Sequence, residues 1–102
     1  MKKWNDKHAR ISRWSLSVRK EEDFVLRYEE LRDGLKHFTV ETFIGSGSDS
    51  KVLKATTVET AKAEAEAWYK DVLEHRIALL EETISDYRET IKALEVQSEM
   101  VG

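Results

Sequence analysis

The residues that could take part in acid–base or metal chemistry are few in this sequence, and they lie far apart. The three histidines are His8, His37 and His75. None of them has a second histidine and a glutamate at the spacing of a zinc-peptidase helix motif, in which two histidines four residues apart share one helix face. Each is therefore interpreted as a surface histidine, and we expect no metal site.

Four acidic residues in the C-terminal third could place carboxylates on one side of a helix, as general acid–base catalysis requires. The solvated flank of a coiled coil produces the same pattern. Residues 45–50, GSGSDS, are predicted to form a flexible loop, which lacks the lysine of a phosphate-binding loop and leads into a strand. We therefore predict no enzyme activity, no catalytic residue and no cofactor. The four acidic residues are Glu81, Glu82, Asp86 and Glu89.

Residues 1–13 form a basic segment that could contact nucleic acid. Five basic side chains and one acidic side chain give this segment a net charge of +4. Its cations could contact phosphates while Trp4 stacks on a base. Against this, the outward face of the predicted sheet has mixed charge and no aromatic side chain, and residues 58–102 are strongly acidic. The candidate contacts are Lys2, Lys3, Trp4, Lys7, Arg10 and Arg13.

The length and composition indicate a single small domain. The chain has 102 residues, 36% of them charged, and no cysteine. The absence of cysteine favours a reducing compartment, and no apolar run approaches the roughly 20 residues that a membrane-spanning helix needs. We therefore expect a cytoplasmic protein that does not enter a membrane.

Three segments of the N-terminal half alternate apolar and polar residues with the period of a half-buried strand. They are SRWSLSVRK from residue 12, FVLRYEEL from residue 24 and LKHFTVETFI from residue 35. The turn sequences KEED and RDG separate them, so the pattern predicts an antiparallel meander, with KVLKATT from residue 51 as a fourth strand. Residues 24–35 also fit a helix, and that alternative stays open.

A long helix is predicted from Val58, because Thr57 can cap it and no glycine or proline interrupts residues 59–95. An apolar stripe along its first half is expected to lie on the sheet. A second stripe follows, with isoleucine at heptad position a and mainly leucine at position d, which favours a parallel two-stranded coiled coil. The first stripe consists of Ala61, Ala65, Trp68, Val72 and Leu79. The second, called here the heptad stripe, consists of Leu73, Ile77, Leu80, Ile84, Tyr87, Ile91 and Leu94.

The heptad stripe has three candidate partners, and the sequence favours a second copy of the chain. A helix that folds back on its own N-terminal segment and a helix of a different protein are the alternatives, and antiparallel pairing also stays open. The predicted fold is α+β: a small antiparallel sheet of three to four strands followed by one long C-terminal helix that forms a coiled-coil dimer. The predicted regions are a basic arm (1–13), an α+β head (14–72), a coiled-coil helix (73–96) and a frayed tail (97–102).

A strand meander followed by one long dimerising helix resembles the transcriptional-coactivator family of single-strand binders in element order, although no family motif is present. The short, charged, cysteine-free chain also resembles the small accessory proteins of tailed phages. We interpret the protein as a non-enzymatic homodimer that binds another protein, as a phage-type adaptor or inhibitor of a host protein. The alternative is a dimeric nucleic-acid-binding protein that uses the basic arm.

Overall fold

The computed structural model describes residues 2–19, 21–44 and 47–101, with side chains as far as residue 96. The chain divides into two units, Met1–Lys70 and Asp71–Gly102. The elements in chain order are β1 (Lys3–Asn5), a 3-10 helix (Ala9–Ile11), β2 (Arg13–Ser17), β3 (Phe24–Glu30), β4 (Lys36–Ile44), β5 (Gly47–Val52) and α1 (Val58–Val101).

The five strands form one antiparallel sheet in the order β1-β2-β3-β4-β5. Strands β2, β3 and β4 confirm the predicted meander, and the hairpin between β3 and β4 turns at Gly34, whose φ of +80° suits glycine. The helical alternative for residues 24–35 is wrong, because Phe24–Glu30 pair with β4 through seven residues, from Phe24 opposite Thr42 to Glu30 opposite Lys36.

The predicted count of three to four strands is wrong, because residues 3–5 also join the sheet. Trp4 pairs with Leu16 in a ladder of three residues, which is too short to produce a visible alternation in the sequence. Strand β5 also begins earlier than expected: Gly47–Ser50 belong to it, although GSGSDS was predicted to be a loop. Gly45 and Ser46 of that predicted loop lie outside the described residues.

The hydrophobic core of the first unit lies between one face of the sheet and the start of α1. Alternate residues of the central strands point into it, as the period of two requires. Ala61 and Ala65 are fully buried on the helix side, so the backbone of α1 can approach the sheet closely. Partly buried Trp68 and Tyr69 pack against the same core. The core strand residues are Trp14, Leu16, Phe24, Leu26, Phe38 and Val40.

The start of α1 is fixed by two sets of hydrogen bonds. The Thr60 backbone N–H donates to the Thr57 hydroxyl at 3.2 Å, and the Thr57 N–H donates to the Thr60 hydroxyl at 3.3 Å. This reciprocal pair confirms Thr57 as the cap and has the arrangement of a capping box. One turn later, the Glu64 carboxylate accepts the backbone N–H groups of Lys54 and Ala55, at 3.1 and 3.0 Å. The segment that leads into the helix is therefore held by the helix itself.

The second unit consists of helix α1 from Asp71 onward. Of the first apolar stripe, Leu79 is 45% exposed, so the prediction that this stripe is covered fails at its C-terminal end. Within the described part of the chain, no helix combines the length and the apolar character that a bilayer-spanning segment requires. Residues 97–101 continue the helix, and the fraying of the tail from residue 97 stays a prediction.

Candidate functional site

The heptad stripe is exposed along its whole length in the single chain. Its seven side chains range from 39% exposed at Leu73 to 67% exposed at Tyr87. Monomeric proteins seldom expose a continuous apolar surface of this length, because apolar area in contact with water costs free energy. The described residues of the chain therefore leave the stripe open to a partner.

The flanks of the heptad stripe suit close helix pairing. Thr83 and Thr90 occupy position g, and their hydroxyls donate to the carbonyl oxygens of Leu79 and Asp86, at 3.1 and 2.9 Å. Both hydroxyls already donate a hydrogen bond within the helix, so burial next to a seam would not leave them without a hydrogen-bond partner. In a parallel pair, Arg76 at g would also lie next to the partner's position e, which is an acidic residue at 81.

Three residues of the basic N-terminal segment contact the first helix turns of α1. The Trp4 indole Nε1–H donates to Glu66 Oε2 at 3.3 Å, and Lys2 Nζ pairs with Glu66 Oε1 at 2.7 Å. Lys62 lies with its ammonium nitrogen 5.2 Å from the Trp4 ring centroid and pairs with Asp6 at 2.9 Å. We call this group of five residues the β1 clasp. Neither Lys62 nor Glu66 was predicted from the sequence, although their spacing of four residues puts them on one helix face.

Trp4 is packed edge-on against the core. Its ring lies 5.3 Å from that of Phe24, with an angle of 71° between the two planes. Edge-to-face packing of this kind stabilises aromatic pairs beyond the area that they bury. Trp4 therefore holds β1 against the sheet, and it could stack on a nucleic-acid base only after β1 is released.

The other predicted nucleic-acid contacts are spread over different surroundings. Lys3, Lys7 and Arg10 are exposed. Arg13 forms an ion pair with Glu22 at 2.9 Å. The structure thus leaves three of the six candidates open to solvent and engages the other three with acidic or aromatic neighbours.

The sheet face opposite the helix has one aromatic side chain that the sequence analysis did not place there. Phe43 lies on that face of β4 and is 63% exposed. On the same face Arg27 and Glu41 form an ion pair at 3.2 Å, and Thr39 donates to Glu29 at 3.0 Å. The mixed charge predicted for this face is therefore present, and Arg27 and Glu41 on it form an ion pair across β3 and β4.

Asp23 joins the β2–β3 turn to helix α1. One carboxylate oxygen accepts the backbone N–H groups of Val18 at 2.6 Å and Arg19 at 3.3 Å, and the other accepts the Tyr69 hydroxyl at 3.1 Å. The fully buried Thr42 donates its hydroxyl to the Asp23 carbonyl at 2.6 Å. Burial raises the pKa of Tyr69, and the hydrogen bond to Asp23 and its negative charge raise it further. Asp23 is 8% exposed, and its hydrogen bonds fix the β2–β3 turn against β4 and α1.

The histidines have ordinary surface surroundings. His8 and His75 are exposed. The His37 Nε2 atom lies 2.8 Å from Asp33 at the β3–β4 turn. A backbone N–H from Leu35, together with His37, lowers the pKa of Asp33. Among the described residues, no group of three or more histidine, aspartate or glutamate side chains could hold a metal ion.

Comparison with known proteins finds no relationship that would assign a function. No protein-family model matches the chain, and neither a curated protein nor a solved structure is significantly similar to it.

Proposed function

We propose that the protein is a non-enzymatic homodimer in which a parallel coiled coil, formed by the heptad stripe, joins two α+β heads. The heads present duplicated surfaces to another protein, for which the dimer acts as an adaptor or inhibitor. The observation that supports this proposal is the exposure of seven apolar side chains at successive a and d positions of one continuous helix. Duplicated surfaces raise the avidity for a large or oligomeric target without any new contact.

The types of side chain favour two parallel copies. Ile77, Ile84 and Ile91 occupy every a position of the stripe, where β-branched residues pack well in a parallel dimer. Leucine occupies d except at Tyr87, whose hydroxyl must reach water or a flanking group. A foreign helix with the same seam would satisfy the stripe equally well, so the oligomeric state is the decisive measurement.

The test is the mass of the particle in solution, measured by light scattering after size exclusion. We expect the wild type at twice the chain mass of 11.9 kDa. Ile84→Asp places a carboxylate in the seam of each copy. Losing two buried isoleucines costs at least about 4 kcal/mol, which weakens the dimer about a thousandfold. Ser85→Asp, one residue further on at the exposed position b, makes the same substitution outside the seam and should leave the dimer intact.

A wild-type monomer at micromolar concentration would contradict the homodimer. If the dimer survives Ile84→Asp, the interface between the copies lies outside the heptad stripe. The orientation can be measured separately, because the chain has no cysteine of its own. In a parallel dimer, the two thiols of Ile91→Cys face each other and form a disulfide between the copies under mild oxidation. An antiparallel dimer keeps those thiols apart, beyond the roughly 7 Å Cα separation that a disulfide tolerates.

Nucleic-acid binding is the second candidate, favoured by the exposure of Lys3, Lys7 and Arg10 within one short segment. Its test is the affinity for a single-stranded oligonucleotide as a function of salt. Changing these three residues together to alanine should weaken binding and flatten the slope of log K against log salt, if they contact phosphates. An unchanged slope would remove this segment as the contact.

A further inference from the structure

Strand β1 contacts helix α1 through one face of an extended segment. Side chains two residues apart lie on the same side of a strand, and Lys2, Trp4 and Asp6 have this spacing. All three contact either Lys62 or Glu66, which are four residues apart on the helix. The helix therefore recognises a basic residue, a tryptophan and an acidic residue at alternate positions of an extended chain.

The attachment of β1 is short compared with that of the other strands. It pairs with β2 through three residues, whereas β2 and β3 pair through four, β3 and β4 through seven, and β4 and β5 through six. Lys3 and Asn5 are exposed, so Trp4 supplies the apolar contact of the strand. A short edge strand anchored by one aromatic side chain can be replaced by another extended segment that pairs with the same edge, which is the β-augmentation mode of peptide recognition.

We propose that the β1 slot, formed by the edge of β2 with Phe24, Lys62 and Glu66, is a peptide-docking site. Its ligand is an extended segment of the partner protein with the pattern basic–x–Trp–x–acidic, which displaces β1. The proposal rests on the proposed function for the existence of a protein partner, and it names the chemistry by which that partner is bound.

The two charged helix residues are placed to give the slot specificity. The side chain of Lys62 is 13% exposed and that of Glu66 is 29% exposed, whereas their β1 partners Asp6 and Lys2 are 58% and 57% exposed. Charges partly removed from water distinguish their partners more strongly than fully exposed charges do. Lys62 selects an acidic residue two positions after the tryptophan and also lies over its ring. Glu66 selects the basic residue two positions before it and accepts the indole N–H.

Strand β1 of the chain itself competes with any external peptide for the β1 slot. An external peptide binds the fraction of molecules in which β1 has left the slot, so its apparent affinity falls in proportion to that fraction. A mutation that releases β1 from the slot should therefore tighten the binding of an external peptide.

The test uses a fluorescein-labelled peptide, MKKWNDK, and fluorescence anisotropy with the full chain. Trp4→Ala removes the anchor of β1 and should bind the peptide at least about tenfold more tightly than the wild type does. A peptide with alanine in place of tryptophan should not bind. The proposal is overturned if folded Trp4→Ala binds the peptide no more tightly than the wild type does. It is also overturned if this variant shows no binding at about 1 mM peptide, which is a typical effective concentration of a tethered segment.

Charge reversal on the helix provides the specificity control. Adding Glu66→Lys to Trp4→Ala should abolish binding, whereas adding Glu82→Lys, which makes the same charge change outside the slot, should preserve it. If Trp4→Ala does not fold by circular dichroism, Lys2→Glu serves instead, because it alters a side chain that is 57% exposed. It should tighten peptide binding several-fold, and no tightening would overturn the proposal. Peptide binding raises the anisotropy whether the protein is a monomer or a dimer, because either is much larger than the peptide. Failure of the docking site and failure of the homodimer are therefore distinguished.

Discussion

Replacing Asp23 with alanine is expected to destabilise the first unit more than the loss of any exposed carboxylate. The change removes the acceptor of three hydrogen bonds, from Val18 N–H at 2.6 Å, Arg19 N–H at 3.3 Å and the Tyr69 hydroxyl at 3.1 Å. Hydrogen bonds to a charged group contribute about 1.5 to 3 kcal/mol each when they are short and well formed. Asp23 is 8% exposed, so water replaces these partners poorly.

The three bonds do not contribute equally. The short bond from Val18 should provide about 1.5 to 2 kcal/mol and that from Tyr69 about 1 kcal/mol, and the long bond from Arg19 a fraction of this. The sum is about 3 kcal/mol, which corresponds to a fall in Tm of about 12 to 24 °C for a domain of this size. Such a loss is a large share of the total stability of a small domain.

The assay is urea unfolding followed by tryptophan fluorescence, at one protomer concentration for all variants because dimerisation would shift the midpoint. Asp33→Ala is the matched control: Asp33 also accepts a backbone N–H in a turn, but it lies at the surface. Asp23→Asn, which keeps one acceptor oxygen, should fall between the alanine variant and the wild type. Equal midpoints for Asp23→Ala and Asp33→Ala would refute the reasoning, because burial would then make no difference.

Three further predictions concern the first unit. The raised pKa of Tyr69 means that the folded state favours the neutral phenol, so the stability of the fold should fall as the pH rises above about 10. In thermal melts measured over this pH range, Tyr69→Phe should lose less stability than the wild type does. The lowered pKa of Asp33 has the opposite effect, because the ionised carboxylate stabilises the fold above about pH 4 and this stabilisation is lost as the pH falls through the lowered pKa. Asp33→Asn should therefore remove part of the destabilisation in acid. Thr57→Ala should cost about 1 kcal/mol in urea unfolding, because it removes the cap of α1, whereas Thr56→Ala, one residue earlier, should have little effect.

Local patterns in the sequence predicted much of the fold. The alternation around Trp14 and Leu16 and the turn residues near Gly34 specified the central strands, because both act between near neighbours in the chain. The start of α1 at Val58 followed from the cap at Thr57 and the uninterrupted helical run after it. These features depend on backbone preferences and on hydrophobic period, which a single sequence contains in full.

The parts that sequence reasoning missed depend on contacts between distant residues. Strand β1 has three residues with a single apolar side chain, so it has no period of its own, and it exists because Trp4 reaches Glu66, 62 residues away. The contact of Asp23 with Tyr69 spans 46 residues. The polar residues Gly47–Ser50 concealed the first part of β5, because an edge strand can be built from serine and glycine when its neighbour supplies the hydrogen bonds. The heptad stripe was visible in the sequence because its pattern lies within one helix.

The β1 clasp also has a consequence for the order in which the chain folds. The β2–β3 and β3–β4 hairpins close over short sequence separations, and such contacts form early because they cost little loop entropy. The ladder of β1 is anchored by Lys62 and Glu66, which leave the ribosome more than fifty residues after Trp4. Of the strands in this sheet, the first to be synthesised is therefore the last to be secured. Until the helix arrives, the edge of β2 stays open on the nascent chain, where a chaperone or another extended segment can reach it.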